Sequence, residues 1–279
     1  MPDIAYVNGR FGSLADAVVS IEDRGFQFGD GVYEVIRTYR GQPFAIEEHL
    51  VRLERSAQAL QLSIGQARAQ WSSLIREGLR LSQFSETKIY LQITRGQAPR
   101  DHPFPVSSAP TTVLTFRELH PLDVSVRNAG VQAMSIEDIR WGRCDIKSVN
   151  LLANVLARQR AKEAGVFEAI LVREGTVTEG SVSNVMVVRN GAVQTAPEGR
   201  RILSGVTRAI VLDLARKEGI PVAESFVTRE ELLAASEVFL TGTTVEVLPV
   251  VRVDGHMIGG GSPGPVSQLL SRRFEALVG

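Results

Sequence analysis

The sequence has a single cysteine, Cys144, and only four lysines among its 31 basic residues. One cysteine excludes an intrachain disulfide framework and suits a reducing compartment. Formal net charge is zero, 31 acidic residues against 31 basic ones. That balance excludes the basic footprint of a nucleic-acid or anionic-membrane binder. No uninterrupted apolar run is long enough to span a bilayer. The opening MPDIAYVNGR lacks the basic start and apolar run of a signal peptide, so a cytoplasmic location is expected. No internal repeat is visible. What is present is 44% apolar residues in a chain of 279, enough for two modest domains with cores of their own.

The shortage of lysine makes each one a question. Arginine stays charged, whereas a buried lysine can lose its proton and become a nucleophile. Lys162 and Lys217 each lie within a turn of a glycine that reads as a helix stop, where cations complement the helix dipole. Lys88 opens a strand-like run and is expected in solvent. Lys147, in RCDIKSVN (143–150), follows a strand-like run and precedes a helix-like one. On residue type alone, an ion pair with Asp145 or a surface position accounts for it.

Periodicity places these residues on elements. Ile4–Val7 runs into Asn8-Gly9, a tight-turn pair. Gly31–Tyr39 alternates as a strand, with Tyr33, Val35 and Arg37 on one face and Val32, Glu34 and Ile36 on the other. Leu50, Leu53, Ala57 and Leu60 predict a helix over 46–61, and Trp71, Leu74, Ile75 and Leu79 a second one. Strands follow at 88–95 and 111–117. Between them, QAPRDHPFP (97–105) carries three prolines and is expected as a stiff loop presenting Arg100 and His102. Residues 119–123 read as a connection. The second half alternates strands (130–139, 168–172, 176–180, 185–188, 237–240) with helices leading to Gly165, Gly219 and the C-terminus; Thr228-Arg229-Glu230-Glu231 fits a capping box.

Several pieces suit one kind of chemistry. Ser204-Gly205-Val206-Thr207 opens a helix, whose free N–H groups suit an anion. The turn Thr241-Gly242-Thr243-Thr244 offers hydroxyls and a close approach, and Arg52 sits among the apolar positions of its helix. Plain capping is the simpler account of each alone. A buried Glu179 facing a pyridine nitrogen would keep that nitrogen protonated. Lysine, acid and anion seat together are what pyridoxal phosphate requires. Arg100 suits a carboxylate, with His102 and Tyr33 to share it.

Seven stretches carry a family resemblance: EDRGFQFGDGVYEV (22–35), EHLVRL (48–53), TRGQAPRDHPFP (94–105), EDIRWGRCDIKSVNLLANVLA (137–157), TVTEGSVSNV (176–185), ILSGVTR (202–208) and TGTTVEVLPV (241–250). The chain resembles the pyridoxal-phosphate enzymes of fold type IV over nearly its whole length, and among them the bacterial D-amino-acid transaminases. The resemblance implies an α+β fold of two domains. The cofactor is expected between a small N-terminal α/β domain (1–118) and a larger C-terminal one (124–279) that carries the Schiff-base lysine, with 119–123 as linker. It implies Lys147 as the lysine that binds pyridoxal 5'-phosphate and moves the proton. Glu179 matches the acid at the ring nitrogen. Arg52, the backbone of Val206 and Thr207, and Thr243 match the phosphate seat. Tyr33, Arg100 and His102 match the trap for the substrate's α-carboxylate, the latter two contributed by the partner subunit of a homodimer. No metal is called for. Gly242 stands where the family pattern suggests a serine, and Val35 and Leu203 are expected to shape the side-chain pocket.

The implied activity is ping-pong transamination between a D-amino acid of the D-alanine or D-glutamate type and a 2-oxo acid such as 2-oxoglutarate or pyruvate. An L-branched-chain transaminase, an aminodeoxychorismate lyase and an (R)-amine transaminase share the fold, which does not decide chemistry. Arg100 with His102 argues against the amine enzyme, which has no carboxylate to hold. A non-catalytic pyridoxal-phosphate-binding protein would not need Lys147, Glu179 and Tyr33 together.

Overall fold

Asn8 and Gly9 both take positive φ, 45° and 98°, which turns strand β1 (Ile4–Val7) tightly into β2 (Arg10–Ser13). The computed structural model describes residues 3–279. The chain continues through a short helix α1 (Arg24–Phe28), β3 (Gly31–Tyr39), β4 (Gln42–Pro43), α2 (Ile46–Ala59), α3 (Arg68–Ser82), β5 (Thr87–Thr94) and β6 (Thr111–Glu118). These strands form one antiparallel sheet in the order β2-β1-β6-β5-β3-β4. Its inner face alternates Val32 and Ile36 of β3, Ile89, Leu91 and Ile93 of β5, and Leu114 and Phe116 of β6. Leu50, Leu53 and Ala57 of α2, with Trp71 and Ile75 of α3, close over that face. Gly78 lets α3 settle on the sheet, because a Cβ there would lie 2.0 Å from the Phe116 ring. A glycine inside a helix costs about 1 kcal/mol, which this close packing offsets.

The second unit comprises α4 (Val124–Ala129), β7 (Val131–Glu137), α5 (Leu152–Glu163), β8 (Glu168–Arg173), β9 (Thr176–Gly180), β10 (Asn184–Arg189), β11 (Ala192–Thr195) and α6 (Val206–Lys217). It then runs through β12 (Val222–Glu224), β13 (Val227–Thr228), α7 (Arg229–Leu233), β14 (Glu237–Gly242), β15 (Glu246–Val253), β16 (His256–Met257) and α8 (Pro265–Val278). One mixed sheet runs β12-β11-β10-β14-β15-β7-β8-β9-β13, with β16 beside β15. β7 and β8 are parallel and connect through α5, as parallel neighbours require a crossover. Both halves of the expected capping box are formed between Thr228 and Glu231. Strand β15 carries Pro249 opposite Phe239 in the middle of the sheet. Proline is rare there, which is why no strand is predicted over these residues. Glu237 of β14 accepts the N–H groups of Val266 and Ser267, at 2.9 and 2.8 Å, and so caps α8 from outside it. Among the described residues, no helix is long and apolar enough to cross a membrane.

The fold is α+β, and the first unit ends at His120, inside the expected 119–123 connection. The expectation that residues 124–279 form one unit needs correction at the lysine segment. Ile146–Asn150 belongs to the first unit. The cause is local: Val32 and Ser148 form a β-bridge, and the Tyr33 N–H donates to the Lys147 carbonyl at 2.9 Å. The Val149 N–H donates to Gly31 at 3.1 Å, and Ile146 joins the first unit's apolar core.

Candidate active site

In the first unit the lysine segment lies beside the start of β3, joined to it by the isolated bridge Val32–Ser148 and by backbone hydrogen bonds. Its position is fixed on both sides, since the Lys147 N–H also donates to Ser56 Oγ of α2 at 3.2 Å. The Lys147 amine lies over the Tyr33 ring, 4.4 Å from its centroid. Lys88, Lys162 and Lys217 are exposed or nearly so, whereas Lys147 is half-buried beside Tyr33. Asp145, the alternative partner suggested by sequence, is engaged by Arg143 at 2.8 and 3.0 Å. Tyr33 also packs against Tyr90 of β5, ring centroids 5.5 Å apart. Burial, and then the nearby Tyr33, push the Tyr90 phenol well above its ordinary range.

On the opposite face of β3, Glu34 points into the core with 0% of its surface exposed. Both its carboxylate oxygens accept from Arg52 of α2, each at 2.8 Å, and one also meets His49 Nδ1 at 2.8 Å. Burial alone would raise the Glu34 pKa; the charge and hydrogen bonds of Arg52, and then His49, hold it far below the carboxylate range. His49 is lowered from its ordinary value, burial outweighing its attraction to Glu34. A neutral imidazole facing a carboxylate carries its proton on Nδ1. Glu34 therefore aims Arg52, the arginine expected at the phosphate.

Arg100 and His102 stand exposed on the proline loop. Both side chains turn to one ring: the Arg100 guanidinium is 4.7 Å from the Phe28 centroid, and the His102 ring 5.4 Å. Thus Lys147 and Tyr33 are brought together, as are Arg100 and His102, on separate parts of the first unit.

The second unit holds the acid. Glu179 lies near the end of β9, buried, with one oxygen paired to an Arg140 terminal nitrogen. Its other oxygen accepts from Asn184 Nδ2 at 3.1 Å and from the Leu203 N–H at 3.0 Å. Asp138 in turn grips Arg140 at 2.9 Å through both oxygens. Burial raises the Glu179 pKa, against the opposing pull of Arg140 and the Leu203 N–H. Arg140 is held cationic, the two carboxylates overriding its own desolvation.

Val206 and Thr207 form the first turn of α6, whose N-cap, Gly205, offers no side-chain cap. A Cβ at Gly205 would fall 2.0 Å from Asn184 Oδ1, so no larger N-cap residue fits while the Asn184 amide keeps its bond to Glu179. Thr243 lies in the turn between β14 and β15. At Gly242 an added Cβ would come to 3.3 Å from Val245 Cγ2 and meet no backbone atom closer than 3.7 Å. Taken unit by unit, the amine of the first, and the buried carboxylate and the helix start of the second, are of the donor types and charges that pyridoxal phosphate calls for.

Sequence reading missed Glu34, His49, Arg140, Asp138 and Asn184. A signal existed for the first: an acid on the apolar face of β3 and an arginine on the apolar face of α2 call for each other. For Arg140, an Asp-x-Arg after a strand is too common to be a signal.

Each unit by itself carries a residue type suited to amine chemistry: Lys147 beside Tyr33 in the first, and the buried Glu179 in the second. Comparison with known proteins narrows the class. Residues 31–253 match the model of amino-transferase class IV. The chain is 46% identical over 262 residues to a D-alanine aminotransferase of Bacillus licheniformis, covering 94% of this chain and 92% of that protein. It is 41% identical to a D-alanine aminotransferase of Listeria monocytogenes, covering 96% and 93%. Among solved structures, a branched-chain amino acid aminotransferase of Escherichia coli superposes with a TM-score of 0.93 at 28% identity, covering 100% of this chain and 95% of that one. A branched-chain enzyme from T.th., solved with pyridoxamine 5'-phosphate, gives a TM-score of 0.90 at 30% identity, covering 99% and 93%. The chain belongs to the class IV aminotransferases.

Proposed function

We propose that this aminotransferase is pyridoxal-phosphate dependent and moves the amino group of a D-amino acid, of the D-alanine type, to a 2-oxo acid in two half-reactions. The observation that carries the D-amino-acid assignment is the convergence of Arg100 and His102 on Phe28, which offers a guanidinium and an imidazole together for a substrate carboxylate. The D-alanine aminotransferases named above, at 41–46% identity, support the same branch over the branched-chain enzymes at 28–30%.

Bound to this chain, pyridoxal phosphate supplies a carbonyl carbon for an amine and an electron-accepting ring. Every other task falls to side chains. Lys147 is the attachment point and, as a neutral amine, takes and returns the proton of the substrate's α-carbon. The Tyr33 ring limits where that amine can swing. Glu179, steered by Arg140, Asn184 and the Leu203 N–H, would hold a proton at the ring nitrogen. Arg52, aimed by Glu34, the first turn of α6 and Thr243 are the groups that would hold the phosphate. The exposed Arg100 and His102 serve the partner subunit of a homodimer, and a cytoplasmic setting suits the substrates.

The test is a steady-state assay with D-alanine and 2-oxoglutarate, and with L-leucine in parallel. Formation of pyruvate and D-glutamate is expected; turnover confined to L-leucine would overturn the assignment.

A further inference from the structure

Arg24 lies on α1, in the first unit, and is 3% exposed. All three of its guanidinium nitrogens are engaged. Nε donates to Asp30 Oδ2 at 2.9 Å, one terminal nitrogen to the Asp101 carbonyl at 2.6 Å, and the other to the His102 carbonyl at 3.1 Å. The two carbonyls belong to the loop that carries Arg100 and His102. Arg24 therefore grips the two peptide groups that flank His102, two residues beyond Arg100.

The grip has a rigid base. Asp30 is shared with Arg95, which donates to both its oxygens at 2.8 and 3.0 Å. Arg95 also holds the carbonyls of Leu60 and Gln61, at 2.8 and 3.0 Å, and stacks on Phe104 of the loop at 3.7 Å. The helix that bears Arg24 is pinned as well: Asp23 accepts from the Gly25 N–H and from Thr94 Oγ1, each at 2.8 Å. At the end of the same helix is Phe28, with the Arg24 guanidinium 4.8 Å from its centroid, on the ring that Arg100 and His102 also meet.

We propose that Arg24 and Phe28 are positioning residues for substrate-carboxylate binding: Arg24 fixes the backbone of the Arg100–His102 loop, and Phe28 fixes the direction of both side chains. The proposal rests on the assignment of Arg100 and His102 to the substrate carboxylate. It holds whichever subunit's site the loop serves, because clamp and loop lie on one chain. Only a planar fork reaches one carboxylate and two carbonyls at once, so lysine cannot replace Arg24. A misplacement of the loop by about 1 Å is enough to weaken binding by one to two orders of magnitude.

The test combines Arg24→Lys and Phe28→Leu with Arg100→Ala, singly and as double variants, in the holoenzyme. Readouts are KM and kcat for D-alanine, the inhibition constant of a short aliphatic carboxylate, cofactor absorbance and Tm. Arg24→Lys is expected to raise KM and the inhibition constant together, roughly tenfold, with kcat and cofactor absorbance held. In the Arg100→Ala background the same change should add less, since one of the two groups it positions is gone. An equal rise in both backgrounds, or a fall in Tm and cofactor content with KM unchanged, would overturn the proposal by reducing Arg24 to scaffolding. If Arg24→Lys does not fold, Phe28→Leu decides on the same criteria. An Arg100→Ala enzyme with wild-type KM would instead overturn the assignment of the loop itself.

Discussion

The Lys147 amine rests 4.4 Å above the Tyr33 ring while the Lys147 carbonyl accepts the Tyr33 N–H at 2.9 Å. Backbone and side chain of one residue are thus both registered against the other. The proposed role requires lysine, because arginine stays protonated and could not supply a neutral amine at this position. Lys147→Ala and Lys147→Arg are both expected to lower kcat by at least about 10³-fold, the range for removing a positioned base and nucleophile. Stopped-flow half-reactions with D-alanine would check this; retention of most activity in either variant would contradict the assigned role.

Arg100→Ala is expected to raise KM for D-alanine roughly 10- to 100-fold, the equivalent of one charge-assisted contact of about 1.5–3 kcal/mol. Cofactor content, read from absorbance, should not change. Unaltered kinetics would make the loop irrelevant to substrate.

Acid should unfold this protein through Glu34 and His49. Both have folded-state pKa values below their ordinary ones, 4.5 for Glu34 and 6.5 for His49. The stability each provides is complete above its ordinary pKa and is lost as pH falls below it. His49 loses its share first, below 6.5, and Glu34 below 4.5. Glu34→Gln leaves Arg52 buried without its carboxylate, at a cost of about 3–5 kcal/mol. Thermal melts from pH 8 to pH 5 should show a lower Tm for the variant and a larger loss below pH 6.5, because Glu34 no longer opposes the lowering of the His49 pKa; parallel curves would refute the linkage.

Gly205→Ala places a methyl group 2.0 Å from Asn184 Oδ1. Asn184 must move, and it carries the 3.1 Å bond to Glu179 and a 2.9 Å bond to the Leu203 carbonyl. The variant should weaken cofactor retention and lower kcat about tenfold, by analogy with the loss of one bond to a buried charge. Combined with Asn184→Ala, which removes the clashing amide, it should cost little more than Asn184→Ala alone. Full additivity in equilibrium dialysis and kinetics would show that Gly205 acts elsewhere.

Much of this was legible in the sequence, for reasons that differ by residue. Strand β3 follows from strict alternation, and the Asn8-Gly9 turn from the two residues that best tolerate positive φ. Lys147 stands out because lysine is scarce here. Strand β15 was hidden by Pro249, and helix α1 is too short to show a period. The return of Ile146–Asn150 to the first unit was also hidden. It depends on β-bridge pairing with β3, a long-range contact that no local pattern encodes. The Arg140 pairing with Glu179 joins residues 39 apart in sequence, and nothing in either neighbourhood announces it.

The most direct measurement is the absorbance spectrum of the purified holoenzyme before and after D-alanine, with L-leucine and (R)-1-phenylethylamine in parallel cuvettes. Loss of the yellow cofactor band with D-alanine, and not with the other two, is the predicted result. It would establish cofactor, half-reaction and stereochemistry at once. Loss of the band with L-leucine or the amine, and persistence with D-alanine, would keep the Lys147 chemistry but contradict the D-amino-acid assignment and the roles given to Arg100 and His102.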